Sequence, residues 1–287
     1  MTASLILTTY NRPAALAPVL ASVAALDPAP LEVLIADDGS DARTAEVIAR
    51  AKRRITVPVT HVWQPDVGFR AAASRNRAAA LAKGALLVFV DGDCLLRPRL
   101  IGEHLRLAEP GFTVAGNRIL LSERLSGSIE RGEVDPLHWS PEDWKAARAR
   151  GEVGRLFPLR TLPGHAWRKL RARDWLSFRT CNVGVWREDF VGVNGFEERI
   201  EGWGFEDSDL VIRLLNAGIR IKSGRFATAV LHLWHPESPR DAAEHNRRLA
   251  LEAFGQKRVR AEQGLAERAA LGPADWHEPP LAQDGRA

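Results

Sequence analysis

The chain has 287 residues, 45% of them hydrophobic and 26% charged, the balance of a globular protein able to bury its own core. Two cysteines, Cys94 and Cys181, are too few for a disulfide framework and fit a reducing compartment. The formal net charge is +4, with arginines concentrated between Arg148 and Arg179. Such a surface can favour phosphates or anionic lipids, but no nucleic-acid motif accompanies it and no nucleic-acid partner is expected.

The first segments alternate. Residues 4–8 read as an apolar strand, and 13–26 as a helix with Asn11 as cap and Pro18 as an expected kink. A strand over 31–36 ends at Asp37-Asp38-Gly39-Ser40, and a helix follows over 44–54. A third strand (57–63) precedes an alanine-rich helix (71–83) stopped by Gly84. The apolar strand 85–90 runs directly into Asp91-Gly92-Asp93. Uninterrupted apolar runs separated by helices predict a mostly parallel sheet covered on both faces. The polar clusters Thr8-Thr9-Tyr10, Asp37-Asp38 and Asp91-Gly92-Asp93 all fall at the carboxyl ends of strands, where open α/β sheets bind ligands.

From about 122 to 179 the periodicity fades and Trp139, Trp144, Trp167 and Trp175 appear among arginines, predicting helices and loops laid over the site. Order returns with a strand at 182–186, a turn at 192–195, a helix over 206–217, a strand near 227–232 and a long polar helix over 240–270. Residues 273–287 read as a loose tail.

Several strings carry chemistry. Asp91 and Asp93, one residue apart after a buried strand, can face one hard cation, with Gly92 allowing the backbone to turn, although Asp-Gly also makes plain turns. Asp38 can accept from a ribose or base edge, while Ser40 or Asp41 caps the next helix. Gly68 ahead of a helix start, with Arg70 and Arg75, suits a diphosphate. In Gly202-Trp203-Gly204-Phe205-Glu206-Asp207, the tryptophan can stack on a sugar ring and one carboxylate can act as general base. Simple capping accounts for the acids but not for Trp203 and its glycines. His235, then His232, could complete a metal site.

The ordered set SLILTTYNRP, ADDGS, VGFRAAASRNRAA, VFVDGD, RTCNVGVWREDFVGVNGFEE, GWGFEDSDL and HLWH, from residue 4 to about 235, resembles inverting glycosyltransferases of the GT-A fold, family 2. Its C-terminal half is similar to the acceptor domain of β-1,4-galactosyltransferases and chondroitin polymerases. The resemblance implies an α/β GT-A domain with a nucleotide-sugar half (1–120), an insert (121–180), an acceptor and catalytic half (181–272) and a flexible tail (273–287). Thr8, Tyr10 and Asp38 would hold the nucleoside, with Arg70 and Arg75 near the diphosphate. Asp91 and Asp93 would form the D-x-D pair, Asp93 being the direct ligand of Mn²⁺ or Mg²⁺. His235 would be a further ligand, and His232 stands where related galactosyltransferases carry a methionine ligand. Trp203 would touch both sugars, Asp207 would be the base, and Glu206 and Asn182 would bind the acceptor.

The implied activity is transfer of a hexose or N-acetylhexosamine from a uridine diphosphate sugar to a glycan hydroxyl, in cell-surface polysaccharide or lipopolysaccharide biosynthesis. The alternatives are a nucleotidyltransferase on a similar sheet and a non-catalytic nucleotide-sugar-binding protein. Phe205 replaces the family's glycine and the insert is unlike the family's, which leaves the sugar and acceptor open. No basic leader precedes the first strand and no apolar run is long enough to span a bilayer, so a cytoplasmic location is expected. Contact with an anionic membrane through Trp167, Arg168, Lys169, Arg171 and Arg173 is an open addition.

Overall fold

The computed structural model describes residues 1–164, 166–237 and 239–269. Its strands are β1 (Ala3–Thr9), β2 (Glu32–Asp37), β3 (Val59–Trp63), β4 (Leu86–Asp91), β5 (Cys94–Leu95), β6 (Phe112–Ala115), β7 (Asn117–Leu120), β8 (Asn182–Trp186), β9 (Arg220–Ser223) and β10 (Ala229–His232). Seven form one sheet in the order β3-β2-β1-β4-β8-β6-β9, and β5, β10 and β7 form a second. Within the larger sheet only β8 runs against its neighbours, β4 and β6.

The larger sheet is sandwiched, as its apolar strands require. Ile6, Leu34, Leu87 and Phe89 point into one core with helices Ala71–Leu81 and Glu206–Asn216. Their alternates Leu5, Leu7, Val33, Ile35, Val88 and Val90 point into the other, against helix Pro13–Ala24. Such strands are buried on both faces, which is why they read as unbroken apolar runs. Thr8 lies level with Asp91 across β1 and β4, and Thr9 level with Asp37 across β1 and β2. The register therefore gathers the polar strand ends at one edge.

Helix Pro13–Ala24 continues through Pro18, whose missing N–H costs one helical bond. The single polar helix over 240–270 is instead helix Ala243–Gly255 followed by a short helix, Leu265–Ala269, with Lys257 in the left-handed region (φ 53°) breaking the run. Of the two caps expected for the second helix, Asp41 is the one used, accepting from the N–H groups of Arg43 and Thr44. The insert forms helices Glu123–Glu130 and Pro141–Ala149, whose Leu125, Ile129 and Ala147 cover the smaller sheet through Ile119, Leu121 and Leu231. The tail expected over 273–287 lies outside the described residues.

Candidate active site

β4 delivers Asp91, and the chain turns at once so that Asp93 faces β10. Gly92 is required there by close approach: an added Cβ would lie 2.7 Å from the Thr8 carbonyl oxygen, and its N–H donates to that oxygen at 2.7 Å. The antiparallel pairing of β5 with β10 sets His232 opposite Cys94. Asp93 Oδ1 then lies 3.6 Å from His232 Nε2, and Asp93 Oδ2 lies 3.6 Å from His235 Nε2. His235 Nδ1 is held at 2.7 Å by the Pro236 carbonyl, which aims Nε2 at the carboxylate. Ligand atoms of Asp93, Cys94 and His232 fall within 4.8 Å of one another. Cys94 is fully buried, so the groups facing the cleft are one carboxylate and two imidazoles. Separations near those between neighbouring ligands of one small divalent ion make this set fit a cation such as Mn²⁺. Arg12, which no sequence motif singles out, donates to Asp93 Oδ2 at 2.7 Å and also meets Glu130 at 3.4 Å.

Arg75 joins this corner to the C-terminal half. Its guanidinium donates to Thr8 Oγ1 (3.0 Å), Asp91 Oδ1 (3.0 Å) and Glu206 Oε1 (3.4 Å), with its carbon 5.5 Å from the Phe196 ring centre. Burial opposes its charge, but Asp91, Glu206 and Asp207 outweigh that and raise its pKa. Of the two arginines expected near the diphosphate, Arg75 is buried and its donors are committed inside the site.

Glu206 and Asp207 begin helix Glu206–Asn216, where the helix N-terminus favours negative charge. The Thr180 hydroxyl, another residue not anticipated, donates a short hydrogen bond to Asp207 Oδ1. Burial raises the Asp207 pKa, with Arg75 and the Thr180 hydroxyl pulling the other way. Burial and then repulsion from Asp207 lift Glu206 to about 7, against the pull of Arg75. A carboxylate whose affinity for protons is raised this way, in a cleft, has the character of a general base.

At the far side, Asp38 is buried and accepts from Gln64 Nε2 (2.6 Å) and the Arg70 N–H (2.7 Å). Burial lifts its pKa to about 6 against those two bonds. Gln64 Oε1 and Arg70 Nε are buried without a protein partner, leaving an acceptor and a donor beside Asp38. Tyr10 is exposed, and its hydroxyl donates to Asp66 at 2.9 Å.

Trp203 is 40% exposed, with the Arg240 guanidinium 5.0 Å from its ring centre. Gly202 (φ 75°), Gly204 (φ 102°) and Phe205 (φ 71°) are all left-handed, so Phe205 occupies a backbone conformation that glycine adopts without strain. Its ring packs with Trp175 against Ile212, Ala250 and Ala253. Asn182 is corrected: buried at 1% exposure, it spends its amide on His104 and the carbonyls of Asn117 and Thr228, which fixes the sheet and leaves nothing for an acceptor.

The glycosyl transferase family 2 profile matches residues 4–148, and the profile of the N-terminal domain of galactosyltransferase matches residues 166–236. Validoxylamine A glucosyltransferases from two strains of Streptomyces hygroscopicus are each 32% identical over 251 residues, 83% of this chain. The chain spans about half of their lengths, 52% and 56%. A hyaluronan synthase of Pasteurella multocida is 27% identical over 239 residues, 77% of this chain and 23% of the relative. Among solved structures, S. aureus TarS 1–349 superposes with a TM-score of 0.61 at 14% identity, covering 93% of this chain and 68% of the 1–349 chain. Mannosyltransferase PcManGT from Pyrobaculum calidifontis, in complex with GDP-Man and Mn²⁺, gives a TM-score of 0.58 at 18% identity, covering 94% and 69%. These structural likenesses establish the GT-A architecture.

Proposed function

The chain belongs to glycosyl transferase family 2, and on that premise we propose that it is an inverting, metal-dependent transferase moving a hexose or N-acetylhexosamine from a uridine diphosphate sugar to a glycan hydroxyl. The observation that carries this reading is the Arg75 guanidinium, which bonds Asp91 of the D-x-D pair and Glu206 of the base helix at once. Asp38, Gln64, Arg70 and Tyr10 form the nucleoside end. TarS has been solved with UDP-GlcNAc and PcManGT with GDP-Man, which supports a nucleotide-sugar donor. The acceptor hydroxyl gives its proton to an Asp207 carboxylate oxygen, and its own oxygen bonds to the anomeric carbon. On the opposite face, the bond from that carbon to the diphosphate breaks, its electron pair leaving with the diphosphate, so configuration inverts. Trp203 offers an aromatic face for the sugars beside Asp207.

Asp93, with His235 and His232, would hold Mn²⁺ or Mg²⁺, which supplies positive charge toward the leaving diphosphate. Mn²⁺ titrated calorimetrically into the full chain should bind, and Asp93→Ala should weaken it at least about tenfold, or about 1.4 kcal/mol. Equal affinity in wild type and variant would remove Asp93 from the ligand set.

No helix among the described residues is long and apolar enough to cross a membrane. A peripheral contact is supported by Leu170 (82% exposed) and Leu176 (63% exposed) beside exposed Arg171 and Arg173. Two of the residues expected to help are occupied: Arg168 is buried on backbone carbonyls and Lys169 pairs with Glu109 at 2.6 Å. Co-sedimentation should show more binding to phosphatidylglycerol than to phosphatidylcholine vesicles, reduced by Leu170→Asp. Equal sedimentation on both would sink the contact.

A further inference from the structure

Beside the cleft lies a second cavity of about 720 Å³, bounded by β7, the end of β9 and the part of the insert after residue 153. Five arginines line it, Arg118, Arg155, Arg168, Arg171 and Arg225, and among the described residues no aspartate or glutamate does. Of the five, only Arg171 has a carboxylate partner among the described residues, Asp174 at 3.5 Å. Arg168 is wholly buried and donates to the carbonyls of Leu162, Gly164, Ser223 and Arg225, so it braces the wall while its charge stays uncompensated. Stacking orients two of these groups: Arg168 lies 4.3 Å from the Trp167 ring centre and Arg225 lies 5.0 Å from that of Phe226. Fixed guanidinium groups without counter-ions make a site for phosphate or carboxylate oxygens, and aromatic rings beside them suit a sugar face.

The cavity lies on the sheet edge that carries the catalytic corner, since Ala115 and Ser223, which line it, end β6 and β9 of the sheet that holds β4. β7 pairs with β10, which carries His232, and Arg118 on β7 reaches to 3.8 Å from the sulfur of Cys181. The residue before that cysteine is Thr180, whose hydroxyl bonds Asp207. We propose that this cavity is the acceptor subsite and takes an anionic saccharide, its phosphoryl or carboxylate group among the arginines and its hydroxyl directed at Asp207. This rests on the transferase reading of Asp207 and adds the class of acceptor to it. The step is unchanged in balance: the saccharide hydroxyl loses its proton to Asp207 and gains the bond to the anomeric carbon that the diphosphate gives up.

The test is calorimetric titration of the full chain, saturated with UDP and Mn²⁺, with glucose, glucose 6-phosphate and glucuronate. At least one anion should bind about tenfold or more tighter than glucose, and the stronger of the two identifies the group as phosphoryl or carboxylate. Arg155→Ala/Arg225→Ala should abolish the preference, whereas Arg53→Ala/Arg54→Ala, equal in charge change but in the turn that ends the helix after β2, should keep it. Equal binding of neutral and anionic sugars, no binding of any of the three, or equal loss in both double variants would overturn the proposal. A separate UDP–Mn²⁺ titration tells the two readings apart. Failure there, with the arginine-dependent preference intact, would sink the transferase reading and leave an anion site.

Discussion

Asp207→Asn should lower sugar transfer by about 10²–10⁴-fold while UDP affinity stays within about twofold of wild type. The substitution keeps the size of the side chain and an oxygen able to accept from the Thr180 hydroxyl, so the helix start and its neighbours remain in place. It removes the lone carboxylate basicity on which the acceptor proton depends. Because burial raises the Asp207 pKa, the wild-type rate should climb with pH through a value above the ordinary carboxylate range. Glu206, lifted to about 7 by burial and then by repulsion from Asp207, shares this corner. Wild-type transfer rates in Asp207→Asn, measured with donor saturating, would exclude it as the base.

Arg75→Met should cost about 3–5 kcal/mol of stability in urea unfolding at pH 8. The variant leaves Asp91, Glu206 and Asp207 in one buried corner without the guanidinium that bonds two of them and offsets the charge of all three. The loss should shrink as pH falls, because the carboxyls then fold in their neutral forms. Glu206 has its pKa raised to about 7 and Asp38 to about 6, so at these two sites the folded state holds more protons than the unfolded chain, the opposite of buried His104, which is lowered to about 4. Both groups therefore add stability that is fully present below their unfolded values and is lost as pH rises through the folded ones. An Arg75→Met variant as stable as wild type at pH 8 would mean the acids are not held as a charged cluster.

The polar edge of the sheet was legible because each polar cluster directly ends a strand whose apolar run is unbroken. The run LLVFV is long enough to be buried on both faces, and the residues after it must emerge at the sheet edge. The histidines were legible as candidates, but only pairing of β10 with β5 shows that His232 and Asp93 meet. Arg12, Gln64 and Thr180 escaped for a common reason: each acts on a carboxylate distant in sequence, Asp93, Asp38 and Asp207 respectively. No periodicity reports such a contact. Asn182 misled in the opposite direction, since an amide in a strand end reads alike whether it faces a ligand or, as here, the carbonyls of Asn117 and Thr228. The arginine-lined cavity was foreshadowed only by composition, because its walls come from segments as far apart as Arg118 and Arg225.

The placement of β8 bears on how the molecule can move. It lies between β4, which ends in the D-x-D turn, and β6, and its N-terminal side leads back to Thr180 and the base. Asp91 and the segment carrying Thr180, the partner of Asp207, are thus joined to one continuous hydrogen-bonded plate, with no joint between two rigid lobes. A clamshell closure would have to tear that plate. The short arm bearing Trp203 between its two left-handed glycines lies outside that plate, so gating should be the flick of that single loop.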